Sequence, residues 1–231
     1  MNSAQKIIKY LAMAFAIFLI VSIFSGIVYG VLGIATAGKL IGDNSTVDTK
    51  CQENGEKLCL EIALSISNLE IKKGDKLSVE TKNEKVEVSQ DDHRLVITEK
   101  GRHLFESYND REVIVYIPEG TEFEKAGISG GVGNIYIENL QAKDLEMALG
   151  IGKTEVSNLE VKNAKISTGI GEVSVRLSSK LDAYTIKTEK GIGDVVLNGK
   201  SIPDHSVNGN GESKIEIDGG IGAIKITTAE N

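Results

Sequence analysis

The sequence predicts an all-β protein: a single-stranded parallel β-helix, or β-solenoid, behind one N-terminal transmembrane helix. Three observations carry this. A Gly-aliphatic-Gly phrase recurs as GVGNIYI from Gly131, GIGKTEV from Gly150, GIGEVSV from Gly169, GIGDVVL from Gly191 and GIGAIKI from Gly220. The starts lie 19, 19, 22 and 29 residues apart, the period of a stacked repeat. Within each copy the fifth and seventh positions are apolar or Thr, while the sixth is mostly polar, as in a strand with one buried face. Finally, Tyr10 to Gly38 holds no charged residue over 29 positions, enough to cross a bilayer as a helix.

In chain order, residues 1–9 are expected to be a cytoplasmic N-terminus and 10–36 the membrane helix. Lys6 and Lys9 precede the apolar run, and basic residues stay on the cytoplasmic side, so the rest of the chain is expected outside. Ala35-Thr36-Ala37 imitates a signal-peptidase site, but the run before it is far longer than a signal peptide's core. GIVYG, Gly26 to Gly30, has the small-residue spacing of a helix-pairing face. Residues 37–50 are polar and read as a linker.

The extracytoplasmic β-helical domain is expected over 51–228. Cys51 and Cys59 flank an Asn54-Gly55 turn signal, and the expected compartment permits a disulfide between them. Two cysteines without a nearby histidine do not make a zinc site. Over 51–120 short alternating runs follow at roughly ten-residue spacing: Leu60–Ile66, Leu77–Thr81, Val86–Ser89, Leu95–Thr98 and Val113–Ile117. Lys72-Lys73-Gly74-Asp75 reads as a turn, and Pro118-Glu119-Gly120 stops the last strand. These are irregular first rungs or a cap, since terminal repeats are atypical. Arg102 to Arg111 breaks the alternation. Its Arg102, His103, Phe105 and Tyr108 are a candidate contact surface, or a loop folded over the coil's open end.

The regular coils occupy 121–228. A strand through Ile128, Met147, Ile166, Tyr184/Ile186 and Ile215/Ile217 precedes each phrase. Its partner strand carries Ile135/Ile137, Thr154/Val156, Val173/Val175, Val195/Leu197 and Ile224/Ile226. Stacking would lay like on like and close a continuous core. The glycine pairs Gly131/Gly133, Gly150/Gly152, Gly169/Gly171, Gly191/Gly193 and Gly220/Gly222 suit bends of unusual backbone angle or close coil approach. The aliphatic residues between them, such as Ile151, Ile170 and Ile192, are expected to stack inside the rod in chain order. An antiparallel sandwich is the alternative; regular spacing without tight-turn signals inside the repeats favours the coil. NGKSIPDHSVNGNGES, between Leu197 and Lys214, is read as a projecting loop, and its His205 as a further candidate contact residue.

Little chemistry is visible. His93, His103 and His205 are scattered, and Asp91-Asp92-His93 reads as a solvated hairpin. No nucleophile elbow, zinc helix or phosphate loop occurs, so neither a catalytic residue, a metal ligand nor a cofactor is expected. A calcium nonapeptide would need a nine-residue period with recurring aspartates. An enzyme of cell-wall polysaccharide would need converging carboxylates, and the acidic residues are dispersed. The net charge is −7, and −9 once Lys6 and Lys9 are set aside, which disfavours nucleic acid and anionic lipid as partners.

The phrase VIVYIPEG, then SGGVGNIYIENLQAKDLEMALGIGKTEVSNL and further glycine-aliphatic-glycine coils, resembles a bacterial family of β-strand-repeat domains labelled putative adhesin, a domain of unknown function. The resemblance covers about Leu60 to Thr228. It implies a non-catalytic scaffold at the cell envelope, contacting an envelope or extracellular protein or polysaccharide, with the bilayer engaged only by the N-terminal helix. The alternative it implies is envelope-stress sensing, or an accessory role beside a membrane partner.

Overall fold

The computed structural model describes residues 58–91, 93–100 and 111–229, all within the second of two units, Thr49–Asn231. The apolar run 10–38, Cys51 and the Arg102–Tyr108 segment lie outside them. Among the described residues no helix is long and apolar enough to cross a membrane.

The described residues form one 17-stranded sheet wound into coils. In the first coil, β1 (Cys59–Leu64) leads to β2 (Asn68–Gly74). After β3 (Ser78–Thr81) and β4 (Val86–Gln90), the second coil is β5 (Arg94–Glu99) and β6 (Glu112–Pro118). The third is β7 (Glu122–Val132) and β8 (Ile135–Ile137). The fourth is β9 (Leu140–Ile151) and the start of β10 (Thr154–Ile170); the fifth is the remainder of β10 and β11 (Val173–Leu177). A 3-10 turn, Leu181–Ala183, leads to the sixth coil, β12 (Tyr184–Ile192) and β13 (Val195–Leu197). After β14 (Lys200–Ser201) and β15 (Ser206–Asn208), the seventh coil is β16 (Ser213–Ile221) and β17 (Ile224–Thr227).

Coil stacks on coil through parallel ladders, as the repeat predicts. The chain order, however, is not the stacking order. β1 lies between β5 and β7, so the second coil is outermost at one end. At the other end β16 pairs with β10 on one side and β12 on the other, while β17 lies between β11 and β13. The seventh coil is therefore inserted between the fifth and the sixth. The spatial order is second, first, third, fourth, fifth, seventh, sixth.

Each outer coil is covered by antiparallel strands. β3 and β4 pair with β6 and β5 at one end. β14 and β15 pair with β13 and β12 at the other. The segment expected to project as a loop after Leu197 is thus a cap. Its hairpin turns through Asn198 and Gly199, both at positive φ (49° and 75°), the backbone a tight primed turn requires. Lys72 to Gly74, expected in a turn, instead continues β2 against β6.

The core runs the length of the stack. Leu60, Ile62, Ile128, Met147, Ile166, Ile217 and Ile186 line one side, and Leu69, Ile71, Ile135, Val173, Ile224 and Val195 face them, all buried. Each such aliphatic side chain stabilises the fold by about 1.5–3 kcal/mol before chain entropy is counted. The residue between the paired glycines behaves otherwise. Ile151 and Ile170 are in register but only half-buried, and Ile192 is 68% exposed and opposite Ile221 rather than Ile170. These side chains stand at the bend, outside the sealed core. The bend leaves no room within: a Cβ on Gly219, two residues before Ile221, would already meet Ile224 Cδ1 at 2.9 Å.

The glycine pair of the sixth coil, Gly191 and Gly193, stands at the end of the stack. Both are exposed, because the sixth coil is outermost and its bend has a neighbour on one side only. That neighbour is the seventh coil: a Cβ on Gly193 would lie 1.7 Å from the Gly222 carbonyl oxygen, and one on Gly191 2.6 Å from that of Gly220. Gly193 keeps the backbone of the other bends, at φ 135°, a conformation that favours glycine.

Candidate interaction surface

The outward columns of the coil mostly neutralise themselves. One reads Glu146, Lys165, Glu216 and Lys187 across four coils, alternating in sign. Lys187 Nζ lies 2.6 Å from Glu189 and 3.0 Å from Glu216; the hydrogen bonds to Glu189 and then Glu216 hold its ammonium well above the usual lysine range. In the next column Asn163 Nδ2 donates to Asp144 Oδ1 at 2.8 Å. Beside the second strands, Lys153 Nζ lies 2.8 Å from Glu155 and Lys225 Nζ 2.7 Å from Glu172. The hydrogen bond from Lys225 lowers the Glu172 pKa, and that to Glu155 raises Lys153.

Asp218 departs from this pattern. It sits opposite Glu189 in one ladder and Ser167 in the other. Its Oδ1 is buried and has no hydrogen-bond partner among the described residues. Burial first, then the charges of Glu216 and Glu189, raise its carboxyl above the usual range.

The bends between paired strands form the second distinctive surface. Val132, Ile151, Ile170, Ile221 and Ile192 lie in register from coil to coil. Val132 is 37% and Ile221 46% exposed. Ile66 continues the row in the first coil, since Leu64 pairs with Gly130 and the Val132 N–H donates to the Ser65 carbonyl. Among the described residues the result is a rim of six β-branched side chains along the stack.

Glycines make the rim possible. Gly171 has φ 151°, and a Cβ there would lie 1.7 Å from the Gly152 carbonyl oxygen; on Gly222 it would lie 1.6 Å from that of Gly171. Gly193 rests on Gly222 in the same way and ends the series. Successive bends therefore pack backbone on backbone, and only the middle residue of each Gly-X-Gly carries a side chain outward. In the first coil Ser65-Ile66-Ser67 occupies the same place. There the N–H groups of Ser65 and Ile66 donate to Glu99 Oε2 at 2.7 and 2.9 Å. Asn83 Nδ2 donates to Oε1 at 2.9 Å. Burial pushes the Glu99 carboxyl up, but the Ile66 and Ser65 N–H groups, with Ser67 and Asn83, outweigh it and lower the pKa.

Of the candidate contact residues, only His205 is described. It lies on the cap at φ 53°, exposed, with Nε2 3.4 Å from Asp204 Oδ2. Asp204 Oδ1 accepts the N–H groups of Lys190 and His205, both at 2.8 Å, so this turn fastens the cap to β12. Cys59 is buried and disulfide-bonded. Among the described residues no group of three or more His, Cys, Asp or Glu could hold a metal ion. Sequence reasoning missed the rim. Its signal was present: an aliphatic residue in every copy, between two glycines too crowded to let it turn inward.

The family model described as Toastrack DUF4097 matches residues 40–229. The chain belongs to this Toastrack family. The resemblance seen in the repeated phrase therefore holds across the whole coil. Among solved structures, a "putative cell adhesion protein" from Clostridium sporogenes ATCC 15579 is similar at 20% identity and a TM-score of 0.53, over 76% of this chain and 94% of that one. A "putative adhesin" from Bacteroides fragilis NCTC 9343 matches at 12% identity and a TM-score of 0.33, over 74% and 94%. No curated protein matches. At such identities the Clostridium structure speaks for the Toastrack fold alone.

Proposed function

We propose that this chain is a non-catalytic interaction scaffold of the bacterial cell envelope, held by a helix over 10–36 and displaying the domain 51–228 outside the membrane. The observation that carries the reading is the aliphatic rim, exposed at Val132, Ile221 and Ile192 and half-buried at Ile66, Ile151 and Ile170. In-register apolar side chains held in water by rigid backbone mark a contact surface. The uncharged run behind Lys6 and Lys9 supports the anchor, and the cell-adhesion description of the Clostridium relative fits the role. The partner is an envelope or extracellular protein or polysaccharide, and not nucleic acid. A Cys51–Cys59 disulfide would fasten the linker to β1.

Capture of partners by the tagged full-length chain from envelope extracts tests the role. The reading expects specific capture that is lost in Ile221→Asp; capture unaffected by Ile221→Asp, or none at all, contradicts it. Protease added to intact cells is expected to digest the domain and spare the N-terminus.

A further inference from the structure

We propose that the rim is also an interface between two copies of this chain, packed side by side and antiparallel, with a two-fold axis between Ile151 and Ile170. The inference rests on reading the rim as a contact face and names one occupant for it. Two properties of the rim select that occupant.

The first is its symmetry. Among the described residues the row reads Ile66, Val132, Ile151, Ile170, Ile221, Ile192, six β-branched residues in one line. A two-fold at its midpoint sets Ile151 against the partner's Ile170, Val132 against the partner's Ile221, and Ile66 against the partner's Ile192. Every described member of the row then has a counterpart. Identical β-branched rows that face each other interdigitate and exclude water, and a two-fold interface must be complementary to itself in this way.

The second is charge. The residue just after each bend forms a flanking row: Asn68, Asn134, Lys153, Glu172, Ala223 and Asp194. Under the same two-fold Lys153 faces the partner's Glu172, and Glu172 faces the partner's Lys153. Asn134 meets the partner's Ala223, and Asn68 meets the partner's Asp194. Among the described residues no like charges are opposed. Moving the axis by half a rung destroys this. Centred on Ile151, Lys153 would face its own copy; centred on Ile170, Glu172 would. Like charges across an interface suppress a wrong register, so the pair Lys153 and Glu172 fixes this one. Each already has a partner in its own chain, Glu155 and Lys225, so pairing extends a charge network rather than uncovering bare charges.

Sedimentation velocity of the full-length chain in detergent, over a concentration series, tests the proposal. The expected result is a reversible monomer–dimer equilibrium. Lys153→Glu and Glu172→Lys should each weaken it about tenfold, and the double charge reversal should restore it. Thermal melts of each variant establish that it is folded, and Ile221→Asp should weaken association independently of charge. A chain that stays monomeric up to on the order of 100 μM overturns the proposal. So does a dimer indifferent to these variants, as pairing through the GIVYG segment would give. Loss of dimerisation as the sole failure, with partner capture still abolished by Ile221→Asp, removes this inference and leaves the contact-face reading standing.

Discussion

At the residue scale, the bend glycines differ sharply from turn glycines, and substitution separates them. Gly171→Ala forces a Cβ to within 1.7 Å of a carbonyl oxygen at φ 151°, where a neighbouring coil cannot give way. Gly120, at φ 78°, has nothing within 4 Å of its Cβ. Chemical denaturation should show Gly171→Ala costing at least about 3 kcal/mol and Gly120→Ala only about 1–2 kcal/mol, the left-handed backbone alone. Glu99 and Asp218 carry opposite pH dependences. The Glu99 pKa is depressed from 4.5, so its contribution is present above that value and lost as pH falls through the folded pKa. Glu99→Gln should cost about 2 kcal/mol at neutral pH, the difference shrinking in acid. The Asp218 pKa is raised from 3.8, so its carboxyl weakens the fold once pH rises through the folded value. Asp218→Asn should raise the melting temperature at pH 7 and have less effect below pH 3.8, a comparison that melts across pH check directly.

At the element scale, much of the coil was legible. The alternation around each Gly-X-Gly placed Ile128 with Ile135, and Met147 with Thr154, on facing walls because strand period and burial coincide there. The short runs before Pro118 appear as β1 and β3 to β6 for the same reason, whereas Lys72 to Gly74, read as a turn, belongs to β2. The first bend was hidden because serine stands for both glycines at Ser65 and Ser67, where the Glu99 carboxylate accepts the Ser65 and Ile66 N–H groups. The cap after Leu197 was read as a loop although Asn198-Gly199 is a primed-turn signal. The middle residue of each bend was assigned inward because hydrophobicity alone does not register the crowding around Gly219 and its equivalents. Replacing Asp204 by Ala should loosen the cap, since it removes the acceptor for the Lys190 and His205 N–H groups. Amide exchange should then accelerate over 184–208 while the third to fifth coils stay protected.

At the scale of the whole molecule, the stacking order was the least legible feature, because every coil offers the same inward pattern to its neighbour. Gly193 shows the difficulty: its phrase fits over Gly171 as well as over Gly222, and only the structure sets it on the latter. Charge resolves the choice. If the sixth coil followed the fifth directly, Lys165 would lie opposite Lys187; inserting the seventh places Glu216 between them. Cross-strand like charges destabilise and opposite charges stabilise by roughly 0.2–1 kcal/mol each, a small bias that acts on otherwise equivalent registers. The insertion has a mechanical result. The first and last coils are both interior rungs, so the domain does not present its terminal coils as fraying ends, and the exposed rungs carry antiparallel caps that blunt edge pairing.

The order itself can be measured with paired cysteines on the outer wall. Ser167 lies directly opposite Asp218, and Asp218 directly opposite Glu189. Adjacent rungs are about 4.8 Å apart, within disulfide reach, whereas Ser167 and Glu189 stand two rungs apart, about 10 Å, beyond it. Oxidation of the Ser167→Cys/Asp218→Cys variant should form a disulfide, found by peptide mass spectrometry, and Ser167→Cys/Glu189→Cys should form none. Efficient bonding of 167 to 189, with none between 167 and 218, would mean that the coils stack in chain order and would contradict the inserted seventh coil.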